Sequence, residues 1–162
     1  MSDLNSTRLR ELLYYDASTG VFTRRVTTSP KGQAGAVAGG YDGKRHWVIR
    51  VDSRKYQAHR LAWLYVYGKW PDGDVDHING DGADNRIENL RDVPHNTNMQ
   101  NQRRARRTNT SQYLGVTKKR NKWQAYITAN GRPQYLGVFD TAEAAHKAYV
   151  TAKRQQHAGC TI

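Results

Sequence analysis

The segment VDHINGDGADNRIENL, residues 75–90, places a single histidine among three aspartates and three asparagines. Side chains of this kind can belong to a solvated loop or to a hydrolytic site. Hydrolysis of a phosphodiester needs a base that takes a proton from water and a cation that neutralises charge on the phosphate. Histidine has an ordinary pKa of about 6.5, which suits it to the role of base.

Asp76 and His77 offer both parts side by side. Magnesium takes only one or two protein oxygen ligands and fills its octahedron with water and substrate phosphate. Neighbouring side chains of a strand point to opposite faces, so we expect this pair at a strand end, where the backbone turns. The following residues, 79–85, supply that turn, and turn formation is the default expectation for Asp81 and Asp84.

Basic residues are concentrated towards the carboxyl terminus. Residues 1–101 contain 14 Lys and Arg against 12 Asp and Glu, whereas residues 102–162 contain 12 against 2, and the chain has a net charge of +12. Each cation that neutralises a phosphate releases condensed counterions. The second part is therefore expected to bind a polyanion, with nucleic acid the first candidate. The uneven charge also favours two small domains over one.

Other classes of protein are excluded by composition. A single cysteine, Cys160, excludes an internal disulfide and a multi-cysteine zinc site, so we expect no structural zinc. The amino terminus has no apolar stretch of signal-peptide length. No segment contains the roughly 18 to 20 apolar residues that span a bilayer. We expect a soluble, cytoplasmic monomer with no membrane partner and no small-molecule cofactor.

Periodicity predicts a mixed α+β chain. AHRLAWLYVYG, residues 58–68, has apolar residues at helical spacing and is the expected core helix of the first domain. Pro94 precedes a second predicted helix that begins rich in asparagine and ends rich in arginine. Residues 103–112 are the predicted basic linker, between a first domain of residues 1–102 and a second of residues 113–162.

The second domain is predicted to be a three-stranded antiparallel sheet packed on one helix. YLGVTKKR, KWQAYITA and PQYLGVF are β-type segments, joined at Arg-Asn and at an Asn-Gly turn. Asp140 and Glu143 offer a capping box for the helix that follows. One face of that helix carries Ala142, Ala145, Tyr149 and Ala152.

Residues 75–101, VDHINGDGADNRIENLRDVPHNTNMQN, resemble the HNH nuclease motif of phage and intron-associated homing endonucleases. The resemblance implies a ββα-metal fold, in which two strands and a helix hold one divalent ion, Mg²⁺ or Mn²⁺. It makes His77 the general base, and it makes Asp76 and Asn98 the metal ligands.

Further positions match this motif less directly. In the family, the asparagine that corresponds to Asn85 bonds across the loop and holds the backbone of the histidine, while Asn101 corresponds to one that contacts backbone or DNA. His59 lies in the segment HRLAW, which resembles the helix before the motif, and a structural role is favoured over a phosphate contact. The family often has Trp where Asp92 stands and Thr where Pro94 stands, which puts local packing in doubt.

Residues 113–158 resemble the apetala or ethylene-response-factor type of DNA-binding domain, which implies that one sheet face reads DNA. Alternation predicts an inner side of Leu114, Val116, Ala125, Ile127, Leu136 and Val138. Trp123 is assigned to the other side, with a core role as the alternative, and the lysines there favour phosphate anchoring over base readout. The predicted DNA contacts are Asn101, Arg103, Arg104, Arg106, Arg107, Lys118, Lys119, Arg120, Lys122, Trp123, Arg132 and Tyr135.

Together the two resemblances imply a metal-dependent endonuclease of homing type, encoded by a bacteriophage or an intron. Its substrate would be double-stranded DNA, and its products would carry 5′-phosphate and 3′-hydroxyl ends. We expect nicking, although cutting of both strands stays open. The alternatives are a DNA-binding regulator with an inactive nuclease domain and an RNA-binding factor.

Overall fold

A computed structural model describes residues 4–30, 32–43, 46–101, 105, 109–129, 131–157 and 160. The chain divides into two compact units, Met1–His95 and Asn96–Ile162. Both contain helix and small antiparallel sheets, which confirms the prediction of a mixed α and β fold. The domain boundaries drawn from the sequence at residues 103 and 112 stay a prediction. Within the described residues, no helix has the length and apolar character needed to cross a membrane.

The first unit contains a helix, five short strands, a second helix and a final hairpin. The strands pair as β1 with β2, as β3–β4–β5 and as β6 with β7. The elements are α1 (Ser6–Leu12), β1 (Leu13–Asp16), β2 (Val21–Arg24), β3 (Gly40–Tyr41), β4 (Trp47–Val51), β5 (Arg54–Gln57), α2 (Ala58–Tyr67), β6 (Asp74–His77) and β7 (Leu90–Val93). A 3₁₀ turn at Ile87–Asn89 precedes β7, and α3 (His95–Gln100) follows it.

Helix α2 is the centre of the core of the first unit, as its apolar spacing predicts. Leu61 and Leu64 are fully buried and pack with Phe22 and Ile49. Burial of one such leucine contributes about 1.5–3 kcal/mol. The helix ends at Gly68, which has φ +76° and donates its N–H to the carbonyl of Leu64. This core is the rigid base against which the β6–β7 hairpin is held.

Asp92 has a clear local role in the hairpin. Its two carboxylate oxygens accept the backbone N–H groups of Asp72 and Gly73, each at 2.8 Å. These bonds tie the start of β6 to β7, whose register pairs Asp74 with Val93. Asp92 therefore contributes hydrogen bonds to the backbone at a position where the resemblance would place tryptophan.

The second unit contains a three-stranded antiparallel sheet and a long helix. The sheet has the order β10–β9–β8, from β8 (Val116–Lys119), β9 (Lys122–Ala129) and β10 (Arg132–Phe139), and α4 (Ala142–Gln156) follows. Val116 and Ala125 of the sheet share a buried cluster with Ala142 and Ala145 of the helix. Ile127 forms a second cluster with the helix. The helix face expected from the alanine spacing is the buried one.

A bulge in β10 changes the predicted pattern of the sheet. The register pairs Tyr135 with Tyr126 but Gly137 with Ala125, so one extra residue is inserted in β10. Side-chain alternation is therefore reset beyond the bulge. Val138, predicted to lie on the inner side, is 48% exposed, and Phe139 packs against the core instead.

Trp123 also differs from its predicted place on the outer side. Its ring packs against the cluster that contains Val116 and Ala125, since positions 123 and 125 share one face of β9. The alternative of a core role, raised by the sequence, describes its position better.

The amino-terminal cap of α4 is Thr141, one residue later than the capping box predicts. Its hydroxyl oxygen accepts the N–H of Ala144 at 3.1 Å. Asp140 instead forms an ion pair with Lys122 of β9. The helix therefore begins at Ala142, directly after the cap at Thr141.

Candidate active site and nucleic-acid interface

His77 is the last residue of β6, and its side chain is buried. The chain turns immediately afterwards, because the N–H of Gly80 donates to the carbonyl of His77 at 2.9 Å and the N–H of Ile78 donates to that of Asn89 at 2.8 Å. The hairpin therefore presents Asp76 and His77 at a strand end. Burial lowers the pKa of His77 and outweighs the opposing contact with Asn85, so its neutral form prevails at neutral pH.

Asn85 fixes the imidazole of His77. Its Oδ1 lies 3.3 Å from Nε2 of His77, and its Nδ2 donates to the carbonyl of Ala83 at 3.0 Å. The second bond sets the orientation of the amide, so Oδ1 is an acceptor and Nε2 of the histidine carries the hydrogen. The lone pair of the ring is then on Nδ1. This contact of Asn85 reaches the ring, and the predicted contact with the histidine backbone stays a prediction.

The backbone around Asn85 rests on the amino-terminal hairpin. The hydroxyl of Tyr15 donates to the carbonyl of Asn85 at 2.7 Å, and the N–H of Ile87 donates to the carbonyl of Ala17 at 3.3 Å. Gly20, at φ +76°, approaches so closely that a Cβ atom there would lie 2.5 Å from the backbone nitrogen of Arg86. Only glycine fits at this position unless one of the two backbone segments moves. The β1–β2 hairpin and its turn therefore pack against the polar loop and hold its backbone in place.

The aspartates of the loop act on the loop itself. Asp84 accepts from Arg86 Nε at 2.9 Å and Nη2 at 2.8 Å, and from Asn79 Nδ2 at 2.8 Å. The hydrogen bonds from Arg86 lower the pKa of Asp84 to about 2. Asp81 accepts the N–H of Ala83 at 3.0 Å. Both residues thus have the turn-forming contacts that their sequence context predicts.

Asp76 is buried and forms an ion pair that sequence reasoning missed. Its Oδ2 accepts from Arg91 Nη2 at 2.8 Å and Nε at 3.0 Å. Arg91 lies directly opposite Asp76 in the hairpin register. The pairing pattern of two strands, once known, would have identified this partner, because cross-strand neighbours of opposite charge are favoured.

The remaining predicted residues of the nuclease motif lie on or next to α3. Asn98 lies on this helix in the second unit, and its role as a metal ligand stays a prediction. Asn101 is buried and donates its backbone N–H to the carbonyl of Asn98 at 3.0 Å. His95 is exposed, and its Nδ1 lies 2.7 Å from Oδ2 of Asp74.

Three histidines of the first unit lie together, and only one of them was assigned chemistry from the sequence. His77 contacts His59 on α2 and His46 just before β4, with ring centroids 5.0 Å and 5.9 Å away. His59 and His46 are 5.0 Å apart. Burial, together with the neighbouring rings, lowers the pKa of His59 to about 3. His59 thus has the buried position that a structural role requires, while His46 has no sequence signal that would have placed it here.

In the second unit, the predicted DNA contacts fall on different parts of the sheet. Tyr135 and Tyr126 are cross-strand neighbours, with ring centroids 5.2 Å apart and Tyr135 52% exposed. Lys118 Nζ lies 5.7 Å from the centroid of the Trp123 ring. Arg120 occupies the β8–β9 turn at φ +54°.

The other basic residues of the prediction are placed as follows. Lys119 and Lys122 are exposed and opposite each other in the register, and Arg132 is exposed at the start of β10. Lys122 is paired with Asp140. The four linker arginines, Arg103, Arg104, Arg106 and Arg107, lie outside the described residues.

Comparison with known proteins gives one match in each part of the chain. The HNH endonuclease family matches residues 56–100, a range that begins in β5 and ends with α3. Nucleases of this family use divalent metals. No solved structure matches the chain.

Three plant proteins match over 49 residues at 47% identity, which is 29% of this chain. They are APETALA2-like protein 2 of Oryza sativa subsp. indica and of subsp. japonica, and the AP2-like ethylene-responsive transcription factor TOE2 of Arabidopsis thaliana. The chain spans only 10–11% of the length of these relatives. The chain therefore carries an HNH endonuclease domain at residues 56–100 together with a segment similar to APETALA2-type DNA-binding proteins.

Proposed function

We propose that this protein is a metal-dependent DNA endonuclease of homing type, in which His77 is the general base. The observation that supports the proposal most strongly is the β6–β7 hairpin inside the matched HNH range. There a buried, neutral imidazole stands at a strand end beside a carboxylate, with its tautomer set by Asn85. A loop that existed only for solvation would not need a buried histidine.

In the proposed reaction, Nδ1 of His77 takes a proton from water as the water oxygen attacks phosphorus. A new P–O bond forms, and the bond from phosphorus to the 3′ oxygen breaks. The products are a 5′-phosphate and a 3′-hydroxyl end, the latter protonated by solvent. Asn85 keeps the hydrogen of the ring on Nε2, so the lone pair on Nδ1 is directed to this task.

Asp76 and Asn98 would hold the divalent ion. Carboxylate and amide oxygens are hard donors, which suit Mg²⁺ or Mn²⁺, and both hydrogen bonds from Arg91 reach Oδ2 of the buried Asp76. When bound, the ion neutralises charge on the phosphate and on the leaving oxygen. Arg91 has a separate role, since its two hydrogen bonds hold the buried carboxylate in place and balance its charge.

The second unit would direct the nuclease to double-stranded DNA. Exposed cations of its sheet, Lys119 and Arg132 among them, suit phosphate oxygens, and the exposed Tyr135 can add a contact to sugar or base. The similarity to APETALA2-type proteins supports this assignment. We propose that a monomer nicks one strand, and that the source is a bacteriophage or an intron.

The test is cleavage of supercoiled plasmid in the presence of magnesium. We expect relaxed or linear product, and EDTA should abolish it. His77→Ala should lower the rate by about 10²–10⁴-fold, the contribution of a general base. His95→Gln is the matched control, because His95 is an exposed histidine at the start of α3 with no role in the proposed reaction, and it should cleave as wild type does.

DNA binding by gel shift distinguishes the alternatives. The His77→Ala protein should bind duplex DNA as tightly as wild type. Wild-type protein that binds duplex DNA but never cleaves it would favour the regulator with an inactive nuclease domain. A clear preference for RNA over duplex DNA would favour the RNA-binding factor, and normal cleavage by His77→Ala would remove His77 from the mechanism.

A further inference from the structure

The three histidines of the first unit form a cluster that the nuclease mechanism does not use as a whole. Each offers one ring nitrogen, and the three nitrogens lie within 4.8 Å of one another. The residues come from three places in the fold: His46 precedes β4, His59 is on α2, and His77 ends β6. Three imidazoles meet here because the β4 sheet, α2 and the hairpin pack on one core.

A second observation points to a ligand. His59 is 4% exposed, and its Nδ1 is buried with no hydrogen-bond partner. Buried polar atoms in proteins are nearly always satisfied, so an orphan nitrogen requires an explanation such as an ion. The other two rings of the cluster offer the further nitrogens that a shared ligand would join to it.

The chemistry of three imidazoles selects a class of ion. Imidazole nitrogen suits zinc and related transition metals, whereas magnesium prefers oxygen. Three histidines with a water in the fourth position are a common zinc arrangement, with Zn–N distances of about 2.0–2.1 Å. In a tetrahedron of that size the nitrogens are about 3.3 Å apart. Small side-chain rotations that bring the rings together would therefore complete the site.

We propose that His46, His59 and His77 form a binding site for Zn²⁺ or a similar transition-metal ion, separate from the magnesium ligands Asp76 and Asn98, and that occupancy inhibits the nuclease. The inhibitory part rests on the proposed function, because it requires His77 to be the base. An ion on Nδ1 takes the lone pair that would accept a proton from water. An ion on Nε2 displaces the contact with Asn85 that sets the tautomer.

Direct metal binding tests the site without reference to activity. The full-length protein is stripped with EDTA, freed of chelator and titrated with Zn²⁺ against a chromophoric indicator. Co²⁺ is used as a spectroscopic probe in parallel. We expect one equivalent to bind at the cluster, with the intense visible absorption of four-coordinate Co²⁺. His46→Asn should weaken binding on the order of 100-fold, since one of three protein ligands is lost.

The controls separate a specific site from scattered histidines and from misfolding. His95→Gln removes an exposed histidine outside the cluster and should leave the affinity for Zn²⁺ unchanged. His46 is only half-buried, so the His46→Asn protein should keep the metal-free unfolding temperature of wild type, whereas His59→Gln can destabilise the core. Wild-type affinity in His46→Asn, or equal loss in His95→Gln, would overturn the site.

The inhibitory part is tested in the plasmid assay with excess magnesium. Added Zn²⁺ should slow wild-type cleavage, and the half-inhibitory concentration should rise on the order of 100-fold in His46→Asn, each protein compared with its own zinc-free rate. If magnesium-dependent cleavage proceeds but zinc leaves it unchanged or accelerates it, the inhibitory role is wrong. If no cleavage occurs even without zinc, the proposed nuclease function fails, while the binding titration still decides the site.

Discussion

The polar loop of residues 78–89 and the sheet of the second unit both concentrate charge, but their charges have different partners. In the loop, Asp84 is bound by Arg86 and Asn79, and these bonds hold the turn that carries Asn85. In the sheet, cations outnumber the acids of the same unit, and Lys122 with Asp140 is a local ion pair. Balanced charges close in sequence therefore build a rigid site, whereas an excess of one sign stays at the surface for a partner.

Among the substitutions considered, we expect that of Asp84 to lower the free energy of unfolding most. Asp84→Ala eliminates the hydrogen bonds from Arg86 and Asn79, and charge-assisted bonds contribute about 1.5–3 kcal/mol each. Because these bonds are not additive, we expect a loss of about 2–4 kcal/mol in the free energy of unfolding, measured by urea denaturation. Asp81→Ala, which loses one bond to the backbone of Ala83, should cost about 1 kcal/mol or less. Equal effects of the two substitutions would contradict the central position of Asp84.

The pH dependence of stability tests the buried histidines of the first unit. The pKa of His59 is about 3 in the folded protein and about 6.5 in the unfolded chain. Between these values the unfolded chain binds more protons, so the stabilising contribution is complete above pH 6.5 and is lost as the pH falls towards 3. The expected slope from this residue is at most about 1.4 kcal/mol per pH unit.

The measurement compares urea unfolding of metal-free wild type and His59→Gln at about pH 7.5 and about pH 5. The wild type should lose more stability on acidification than the variant does. The same loss in wild type and His59→Gln would show that His59 is not held neutral in the folded state.

The smallest expected effect concerns single cations of the sheet. Lys119→Ala should weaken duplex binding modestly and reduce the slope of log K against log salt by about 0.9, the value for one phosphate contact. Lys122→Ala should have a smaller effect, because Asp140 already neutralises part of its charge. Lys147 is exposed on α4, away from the open face of the sheet, and Lys147→Ala should leave the slope unchanged. A uniform effect of all three would indicate non-specific attraction by net charge.

Features that depend on neighbouring residues could be predicted from the sequence. The turn-forming aspartates, the core helix with Leu61 and Leu64, and the alanine face of α4 follow from local spacing. The position of His77 at a strand end also follows, since the turn residues come directly after it. In each case the deciding interaction lies within a few positions along the chain.

Features that depend on contact between distant segments could not be predicted. The pair Arg91 and Asp76 requires the register of β6 and β7. The inversion at Val138 requires the bulge in β10, and although Gly137 is a residue type typical of bulges, it does not fix which side chains change face. The meeting of His46, His59 and His77 requires the packing of three elements. Periodicity states which side of an element is apolar but not which polar side chains of other elements lie opposite.

The contact at Gly20 has a practical consequence for anyone who wishes to shorten this protein. The matched range of residues 56–100 would be the obvious fragment to express. However, the backbone around Asn85 is contacted by Tyr15, Ala17 and Gly20, which lie outside that range. A fragment without that hairpin would keep Asp76, His77, Asn85 and Asn98 and still lose the surface that keeps its histidine aligned. Miniaturised versions should therefore begin upstream of β1 and should keep glycine at position 20.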